Sequence, residues 1–337
     1  MGRSPSSFPR RFRVLFSFPS FPSFLLNSTP EFLGGSRSLS TLSYEEIRAS
    51  ERPFDSSVFV LHGLLGSGRN WRTFSRKLAS ELQNTSNSNE WRMVLLDLRN
   101  HGKSTEVKGL DPPHDMENSA RDIANLVKSH GWKWPDVVIG HSMGGKVGLD
   151  FVASCARGDY RESVVLPKQL WVLDSVPGTV SSEESDGEVE KVLHTLCTLP
   201  ASLPSRKWVV DHMIELGFSK SLSDWIGSNL KKSGDCVTWA FDLQAAIAMF
   251  NSYREADYWR LLEHPPFGLE IAVVRAEKSD RWSRHVLEKL EYLSAKERKA
   301  EEGKVTLHVL PNSGHWVHVD NPTGLLEIMV PNFIAKT

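Results

Sequence analysis

The chain has 337 residues, of which 40% are hydrophobic, so it can bury a full core and favours one large domain over two equal ones. Its 40 basic and 41 acidic residues leave a formal net charge of -1, which gives no electrostatic support for a nucleic-acid partner. The three cysteines, at 155, 197 and 236, are widely spaced without a CxxC pair. This spacing argues against a disulfide framework or a zinc site and favours a reducing compartment.

The first 42 residues differ in composition from the rest of the chain. No acidic residue occurs from Met1 to Pro30, while four arginines lie among many serines, phenylalanines and prolines. This composition is typical of an organelle transit peptide, so we predict a mature protein in the mitochondrial matrix or the chloroplast stroma. A disordered tail and an N-myristoylation pattern on Gly2 and Ser6 are the alternatives. No stretch reaches the roughly 18 uninterrupted apolar residues of a membrane span.

Beyond this segment, strand-like and helix-like stretches alternate, which predicts an α/β fold with a mainly parallel central sheet and helices on both faces. The strands are apolar runs bounded by turn residues, and the helices have apolar residues three and four positions apart. The chain before Ser57 is short, so we expect a sheet trimmed at one edge. Strands are predicted at 57–62, 92–98, 136–139, 169–173, 269–275 and 305–310, and helices at 70–82, 117–130, 145–156, 284–293 and 324–335.

The segment 181–264 breaks this alternation. It is mostly helical in pattern, has no convincing strand and contains Trp208, Trp225, Trp239 and Trp259. Inserted between two sheet strands, it predicts a helical cap, or lid, that forms an apolar wall for a substrate, although aromatic residues at helical spacing are more often plain core. The core is then predicted to comprise residues 43–180 and 265–337.

The turn Gly140-His141-Ser142-Met143-Gly144 matches the pattern GxSxG. The bare pattern is weak support, because glycine and serine are common. Here a predicted strand ends at the first glycine and a helix follows the second, which is the strand, turn and helix of a nucleophile elbow. We therefore predict Ser142 as a nucleophile lifted above the sheet.

A serine hydroxyl is a poor nucleophile at neutral pH and needs a base within hydrogen-bond reach. His315 follows the predicted strand 305–310, lies on a loop and directly succeeds Gly314, so it is the predicted base. His318 is a nearby competitor, and His308 lies within a strand. An isolated core or surface histidine remains the ordinary alternative for each of them.

A third group must hold the base in place. Asp174 closes the predicted strand 169–173, so its carboxylate is expected at the same sheet edge as Ser142, and it is the preferred acid. Asp280 follows a later strand and is the main rival. Either aspartate is also compatible with a helix cap or a surface position.

Acyl transfer also requires donors for the developing oxyanion. The segment His62-Gly63-Leu64-Leu65-Gly66 follows the first predicted strand, so the backbone N–H groups of Leu64 and Met143 are the predicted oxyanion hole. An ordinary glycine turn is the alternative. A phosphate loop is disfavoured, because Arg69 and Asn70 stand where such a loop needs Lys and Ser or Thr.

Four motifs together resemble the α/β-hydrolase superfamily, and within it the branch of the YbfF-type esterases and abhydrolase domain-containing protein eleven. They are His62-Gly-Leu-Leu-Gly-Ser, Asp97-Leu-Arg-Asn-His-Gly-Lys-Ser, Gly140-His-Ser-Met-Gly-Gly-Lys and Ser313-Gly-His-Trp-Val-His. The resemblance covers about Ser57 to Ile334 and implies an esterase or thioesterase with a Ser-His-acid triad. It also implies an acid after the strand that follows the nucleophile helix, which supports Asp174.

The resulting hypothesis is two-step acyl transfer from a small acyl ester or thioester, through an acyl-enzyme on Ser142, with no metal or organic cofactor. An epoxide hydrolase or dehalogenase is disfavoured, since those relatives carry an aspartate at the nucleophile position. A ligand receptor with slow turnover or a protein-binding partner in the organelle remains the alternative, because a fold does not fix turnover.

Overall fold

The computed structural model describes residues 41–85, 90–161, 164–181, 187–297 and 302–334. All these ranges fall within one unit of the chain, Leu39–Thr337. The segment predicted as a transit peptide lies outside the described residues except for its last two positions, so that assignment stays a prediction. Among the described residues, no helix is both long and apolar enough to cross a lipid bilayer.

Strands and helices alternate along the described chain. The strands are β1 (Tyr44–Arg48), β2 (Ser56–Leu61), β3 (Trp91–Leu96), β4 (Val137–His141), β5 (Gln169–Leu173), β6 (Leu230–Ser233), β7 (Cys236–Trp239), β8 (Glu270–Ala276) and β9 (Lys304–Leu310). The helices are α1 (Arg72–Thr85), α2 (Met116–Ser129), α3 (Met143–Arg157), α4 (Glu188–Thr198), α5 (Arg206–Glu215), α6 (Lys220–Ser228), α7 (Leu243–Glu255), α8 (Trp259–Glu263), α9 (Arg284–Ala295), α10 (Val317–Asp320) and α11 (Pro322–Ile334).

Seven of these strands form one sheet in the order β1-β3-β2-β4-β5-β8-β9. The edge strand β1 runs antiparallel to β3, and every other pairing in this sheet is parallel. All residues of β2, β4 and β5 are buried, as expected for parallel strands with helices on both faces. The predicted α/β-hydrolase fold is confirmed.

Alternate residues of β2 divide the core into two apolar layers. Phe59 and Leu61 pack in one buried cluster with residues of α2 and α3, including Ile123 and Phe151. Val58 and Val60 pack in the other with residues of α1 and α11, including Phe74, Leu78 and Leu325. Side chains on a strand point to opposite faces in turn, so one apolar run supplies both layers. The two layers therefore cover both faces of the sheet.

Several boundaries differ from the sequence prediction. Strand β4 continues through Gly140 to His141, and α3 begins at Met143 rather than at Gly145. A short strand, β1, precedes Ser57 at the sheet edge, where the sequence suggested trimming. The expectation of no strand between 181 and 264 is wrong, because β6 and β7 form an antiparallel hairpin there. The hairpin turns at Gly234, whose φ of 60° is left-handed.

In the described part of the segment between β5 and β8, the other regular elements are helices α4 to α8. The side chains of this segment form a third apolar cluster that contains Trp239 and also Leu65, from the loop after β2. Trp225 on α6 lies 5.9 Å, ring centre to ring centre, from Trp316 next to His315. The amide of Asp242 donates to the carbonyl of Asn100 at 2.9 Å. The inserted segment therefore contacts loops at the carboxyl end of the sheet.

Candidate active site

Ser142 occupies a sharp turn between β4 and α3. Its φ of 52° and ψ of -121° are unusual for a residue with a side chain, and strain of this kind is concentrated at functional sites. The turn is possible because the glycines on either side lack a Cβ. A Cβ on Gly140 would collide with the carbonyl of Gly144, and one on Gly144 would collide with the carbonyl of Leu61.

Asp174 lies one residue beyond β5, the strand adjacent to β4. The amide of Ser142 donates to the carbonyl of Leu173 at 3.0 Å, and the amide of Asp174 donates to the carbonyl of Val274 at 2.8 Å. Both residues therefore emerge at the same edge of the sheet. Asp174 also has a left-handed φ of 43° and is only 1% exposed.

The carboxylate of Asp174 is held by four donors. Oδ2 lies 2.7 Å from Nδ1 of His315 and accepts from Oγ of Ser279 at 2.8 Å. Oδ1 accepts from Nε1 of Trp282 at 2.7 Å and from the amide of Ala276 at 3.1 Å. Burial raises the pKa of Asp174, but the opposing contributions from His315, Trp282 and Ser279 outweigh it and the net pKa is lowered. The group is therefore a buried carboxylate with saturated hydrogen bonds.

His315 is the imidazole that Asp174 contacts. Burial lowers its pKa, and the nearby Arg281 cation lowers it further, while the hydrogen bond and charge of Asp174 oppose both effects. The net pKa lies below the ordinary value of 6.5, so the ring is neutral at neutral pH. With Nδ1 donating to a carboxylate, Nε2 of the neutral ring is left as an acceptor. This is the protonation state that a general base requires.

The other predicted candidates occupy different environments. Asp280 is exposed and lines the cavity described below, but no hydrogen bond joins it to His315. His318 is buried, stacks on Trp71 at 4.0 Å, and has its pKa lowered by burial to about 3. His308 lies in β9. Of the two aspartates, the structure brings only Asp174 to His315.

The predicted oxyanion donors lie on two sides of Ser142. A Cβ built on Gly63 would come within 3.3 Å of Cβ of Ser142, so the loop after β2 passes directly beside the serine. Met143 is the first residue of α3, where a helix leaves its amides without internal acceptors. Within the described residues, no protein acceptor takes the amide of Leu64 or of Met143, and both residues line the cavity.

Two buried histidines fix the loop that carries Leu64. Nε2 of His101 accepts the amide of Leu65 at 3.0 Å, and Nε2 of His62 accepts the amide of Leu98 at 3.0 Å. Each ring uses Nδ1 as a donor to a backbone carbonyl. Burial lowers the pKa of His62 to about 4 and that of His101 to about 3, which keeps both rings neutral. They therefore act as neutral structural groups.

A cavity of about 260 Å³ opens over this group of residues. Ser142, His315, Leu64 and Met143 all line it. The inserted segment contributes a mostly apolar wall of Val189, Val192, Leu222, Trp225, Phe250 and Tyr253. Of the four tryptophans that the sequence singled out in that segment, only Trp225 reaches the cavity. A concave apolar pocket with a few convergent polar groups is a typical small-molecule site.

In the loop after β8, sequence reasoning singled out Asp280 but missed Ser279, Arg281 and Trp282. Ser279 and Trp282 of this loop hold Asp174, and Arg281 between them lines the cavity. The one available signal was the position of the loop after a buried strand at the same sheet edge as Asp174. Among the described residues, no group of three or more His, Cys, Asp or Glu side chains is arranged to hold a metal ion.

A family model described as the alpha/beta hydrolase family matches residues 58–328. The chain belongs to this family. The match spans β2 to α11, so it includes the elbow at Ser142, the Asp174 turn and the His315 loop of this alpha/beta hydrolase.

Individual proteins also resemble the chain over most of its length. The sn-1-specific diacylglycerol lipase ABHD11 of Mus musculus is 23% identical over 284 residues, covering 83% of this chain and 81% of the mouse protein. A probable alcohol acetyltransferase of Saccharomyces cerevisiae is 24% identical over 303 residues, covering 83% and 77%. The structure of a marine microorganism esterase has a TM-score of 0.66 at 21% identity, covering 88% and 100%. The predicted resemblance to the branch of abhydrolase domain-containing protein eleven is confirmed.

Proposed function

We propose that this alpha/beta hydrolase is a serine hydrolase that cleaves small acyl esters or thioesters. The observation that carries the proposal is the 2.7 Å contact between Nδ1 of His315 and Oδ2 of Asp174, beside the cavity that Ser142 also lines. A buried carboxylate that orients a neutral imidazole next to an elbow serine is the arrangement that activates a hydroxyl.

In the first step, Nε2 of His315 takes the hydroxyl proton as Oγ of Ser142 attacks the acyl carbonyl carbon. Asp174 holds the ring and stabilises the imidazolium that forms. The carbonyl π electrons move to the oxygen, and the amides of Leu64 and Met143 donate to that oxyanion. The tetrahedral intermediate then collapses, His315 returns the proton to the leaving oxygen or sulfur, and an alcohol or thiol departs.

In the second step, His315 removes a proton from water, which attacks the acyl group on Ser142. Collapse releases the carboxylic acid and returns the proton to the serine oxygen. His315, which is partly exposed and has a pKa below 6.5, is neutral at the start of each half-reaction, as the mechanism requires.

The apolar cavity supports a substrate with an apolar acyl or alcohol part. The names of the relatives, a lipase of diacylglycerol, an alcohol acetyltransferase and an esterase, share chemistry at an acyl carbonyl and support the same class for this chain. The cavity volume of about 260 Å³ suits a small acyl substrate.

The proposal is tested by hydrolysis of 4-nitrophenyl esters and acyl thioesters of increasing chain length. Wild type is expected to turn over short and medium chains, and Ser142→Ala to lose at least about a thousandfold in kcat while keeping its Tm. If folded wild type hydrolyses none of them yet binds one tightly, the function is that of a ligand receptor. If Ser142→Ala retains the wild-type rate, the proposed nucleophile is wrong.

A further inference from the structure

We infer that Arg281 binds an anionic group of the substrate, so that the preferred esters or thioesters carry a carboxylate or another oxyanion. This inference rests on the proposed function and narrows its substrate class. It concerns Arg281, which lies in the loop after β8 and lines the same cavity as Ser142 and His315.

Arg281 is a half-buried cation with no ion pair among the described residues. Asp280 precedes it in the chain and lines the same cavity, yet it makes no salt bridge with the guanidinium. Glu190, which lies with Arg281 along a smaller adjoining cavity of about 40 Å³, is instead paired with Arg254 at 3.3 Å. A partly desolvated guanidinium without a carboxylate partner is a ready site for a ligand anion.

The loop holds Arg281 in a defined position. On one side, Oγ of Ser279 donates to Asp174, and on the other, Nε1 of Trp282 donates to the same carboxylate. The amide of Lys278 donates to the carbonyl of Ser313 at 2.9 Å, which ties this loop to the loop of His315. The backbone of Arg281 is therefore pre-organised by the same groups that hold the triad, and pre-organisation reduces the entropic cost of binding.

Arg281 lines the cavity together with Ser142, His315 and Tyr253. After burial, Arg281 is the strongest influence on the pKa of His315, and it is the strongest charge acting on that of Tyr253. Tyr253, like Arg281, lines both the main cavity and the smaller one. An anion bound by Arg281 would therefore lie within the substrate pocket. Lys278 also lines the cavity, but its side chain is exposed and less able to gain from desolvation.

Two pairs of chromogenic esters show whether Arg281 binds an anion on the acyl part of the substrate or on its leaving group. Mono-4-nitrophenyl glutarate and 4-nitrophenyl pentanoate differ in a charge on the acyl side. The acetyl esters of 4-hydroxybenzoate and of its methyl ester differ in a charge on the leaving side. For each pair, the ratio of kcat/KM for the charged ester to that for the neutral ester is measured at one pH. The ratio cancels any common effect of Arg281 on His315.

In at least one pair, Arg281→Gln is expected to lower this ratio at least tenfold. Arg281→Lys should lower it less, because the lysine ammonium keeps the positive charge but lacks the planar guanidinium that donates two parallel hydrogen bonds. Arg284→Gln is the matched control: it removes a side chain that is 93% exposed, three residues along, and should leave both ratios unchanged. The pair that responds identifies the acyl or the leaving side.

Binding to Ser142→Ala separates the two claims. This variant is expected to bind one of the two charged esters, mono-4-nitrophenyl glutarate or the acetyl ester of 4-hydroxybenzoate. Its affinity should be at least tenfold higher than that of Ser142→Ala/Arg281→Gln. If wild type hydrolyses esters but both ratios are insensitive to Arg281→Gln, the anion site is wrong and the hydrolase stands. If wild type hydrolyses nothing while Ser142→Ala binds the charged ester through Arg281, the hydrolase is wrong and the anion site stands. If wild type hydrolyses none of the esters and Ser142→Ala binds neither charged ester, both the hydrolase and the anion site are wrong.

Discussion

Nδ1 of His315 lies 2.7 Å from Oδ2 of Asp174, although 141 positions separate the two residues in the chain. The contact is possible because β5 and β9 end at the same edge of the sheet, with only β8 between them. The loop after β8 completes it by donating to Asp174 from Ser279 and Trp282. The arrangement gives the two candidate aspartates different roles, and these roles can be measured.

Replacing Asp174 is expected to damage catalysis, and replacing Asp280 is not. Asp174→Asn removes the charge that orients and supports imidazolium formation on His315, so kcat should fall by roughly a thousandfold to ten-thousandfold. Asp280→Asn changes an exposed side chain without a contact to the ring and should keep kcat within about threefold. Steady-state kinetics on a 4-nitrophenyl ester, with Tm as the folding control, distinguishes them. The reverse ranking would make Asp280 the acid.

The pH dependence of kcat/KM should report His315. Burial and the Arg281 cation both disfavour the imidazolium, so activity should rise with pH through a midpoint below 6.5 and level off near neutrality. Arg281→Gln removes a contribution that lowers the pKa, so its midpoint should move to higher pH. Rate profiles from pH 4.5 to 8 on a neutral ester give both midpoints. A wild-type midpoint above 6.5 would contradict the neutral base.

The elbow should not tolerate a side chain at Gly144. A Cβ there would collide with the backbone carbonyls of Leu61 and His62, which cannot move without shifting β2 and its loop. Gly144→Ala should therefore cost at least ~2 kcal/mol in the free energy of unfolding. Gly148→Ala, on the same helix, meets mainly Cδ1 of Leu170, a flexible side-chain end at 2.8 Å, and should cost less. Urea unfolding compares the two, and equal costs would exclude the backbone collision as the cause.

Lys146 should stabilise the junction between helix α3 and the inserted segment. Its buried Nζ donates to the carbonyls of Gly178 at 2.7 Å, Tyr253 at 2.6 Å and Ala256 at 2.8 Å. Lys146→Met leaves three acceptors unpaired and should cost about 2 to 4 kcal/mol. Lys207→Met, which removes an exposed pair with Asp211, should cost less than about 0.5 kcal/mol. Urea unfolding measures both, and a neutral Lys146→Met would show that water replaces the amine.

The buried parallel sheet could be predicted from the sequence because its strands are continuous apolar runs between turn residues. Strand β5 was predicted with the observed bounds, and the other core strands within two residues. The hairpin β6–β7 could not be predicted in this way, because Leu230-Lys-Lys-Ser233 has one apolar residue and its pairing depends on the turn at Gly234. Short, half-exposed strands depend more on their partners than on their own pattern.

The candidate site was predicted in its parts but not in its connections. Ser142 could be predicted because the GxSxG motif lies between a predicted strand and a predicted helix, and all three are local features of the sequence. Asp174 and Asp280 both follow strands at the same sheet edge, so only the distance to His315 distinguishes them. Arg281 carries no motif, and its significance depends on its having no ion pair with any residue that the structure describes, which no local pattern encodes.

Covalent labelling by a fluorophosphonate, with the modified peptide mapped by mass spectrometry, tests the central claim most directly. The probe reacts only with an activated serine, so wild type should be modified at Ser142, Ser142→Ala should remain unmodified, and Asp174→Asn should react far more slowly than Asp280→Asn. Folded wild type that stays unlabelled, or is labelled at another serine, would contradict the assignment of Ser142, His315 and Asp174 as a catalytic triad.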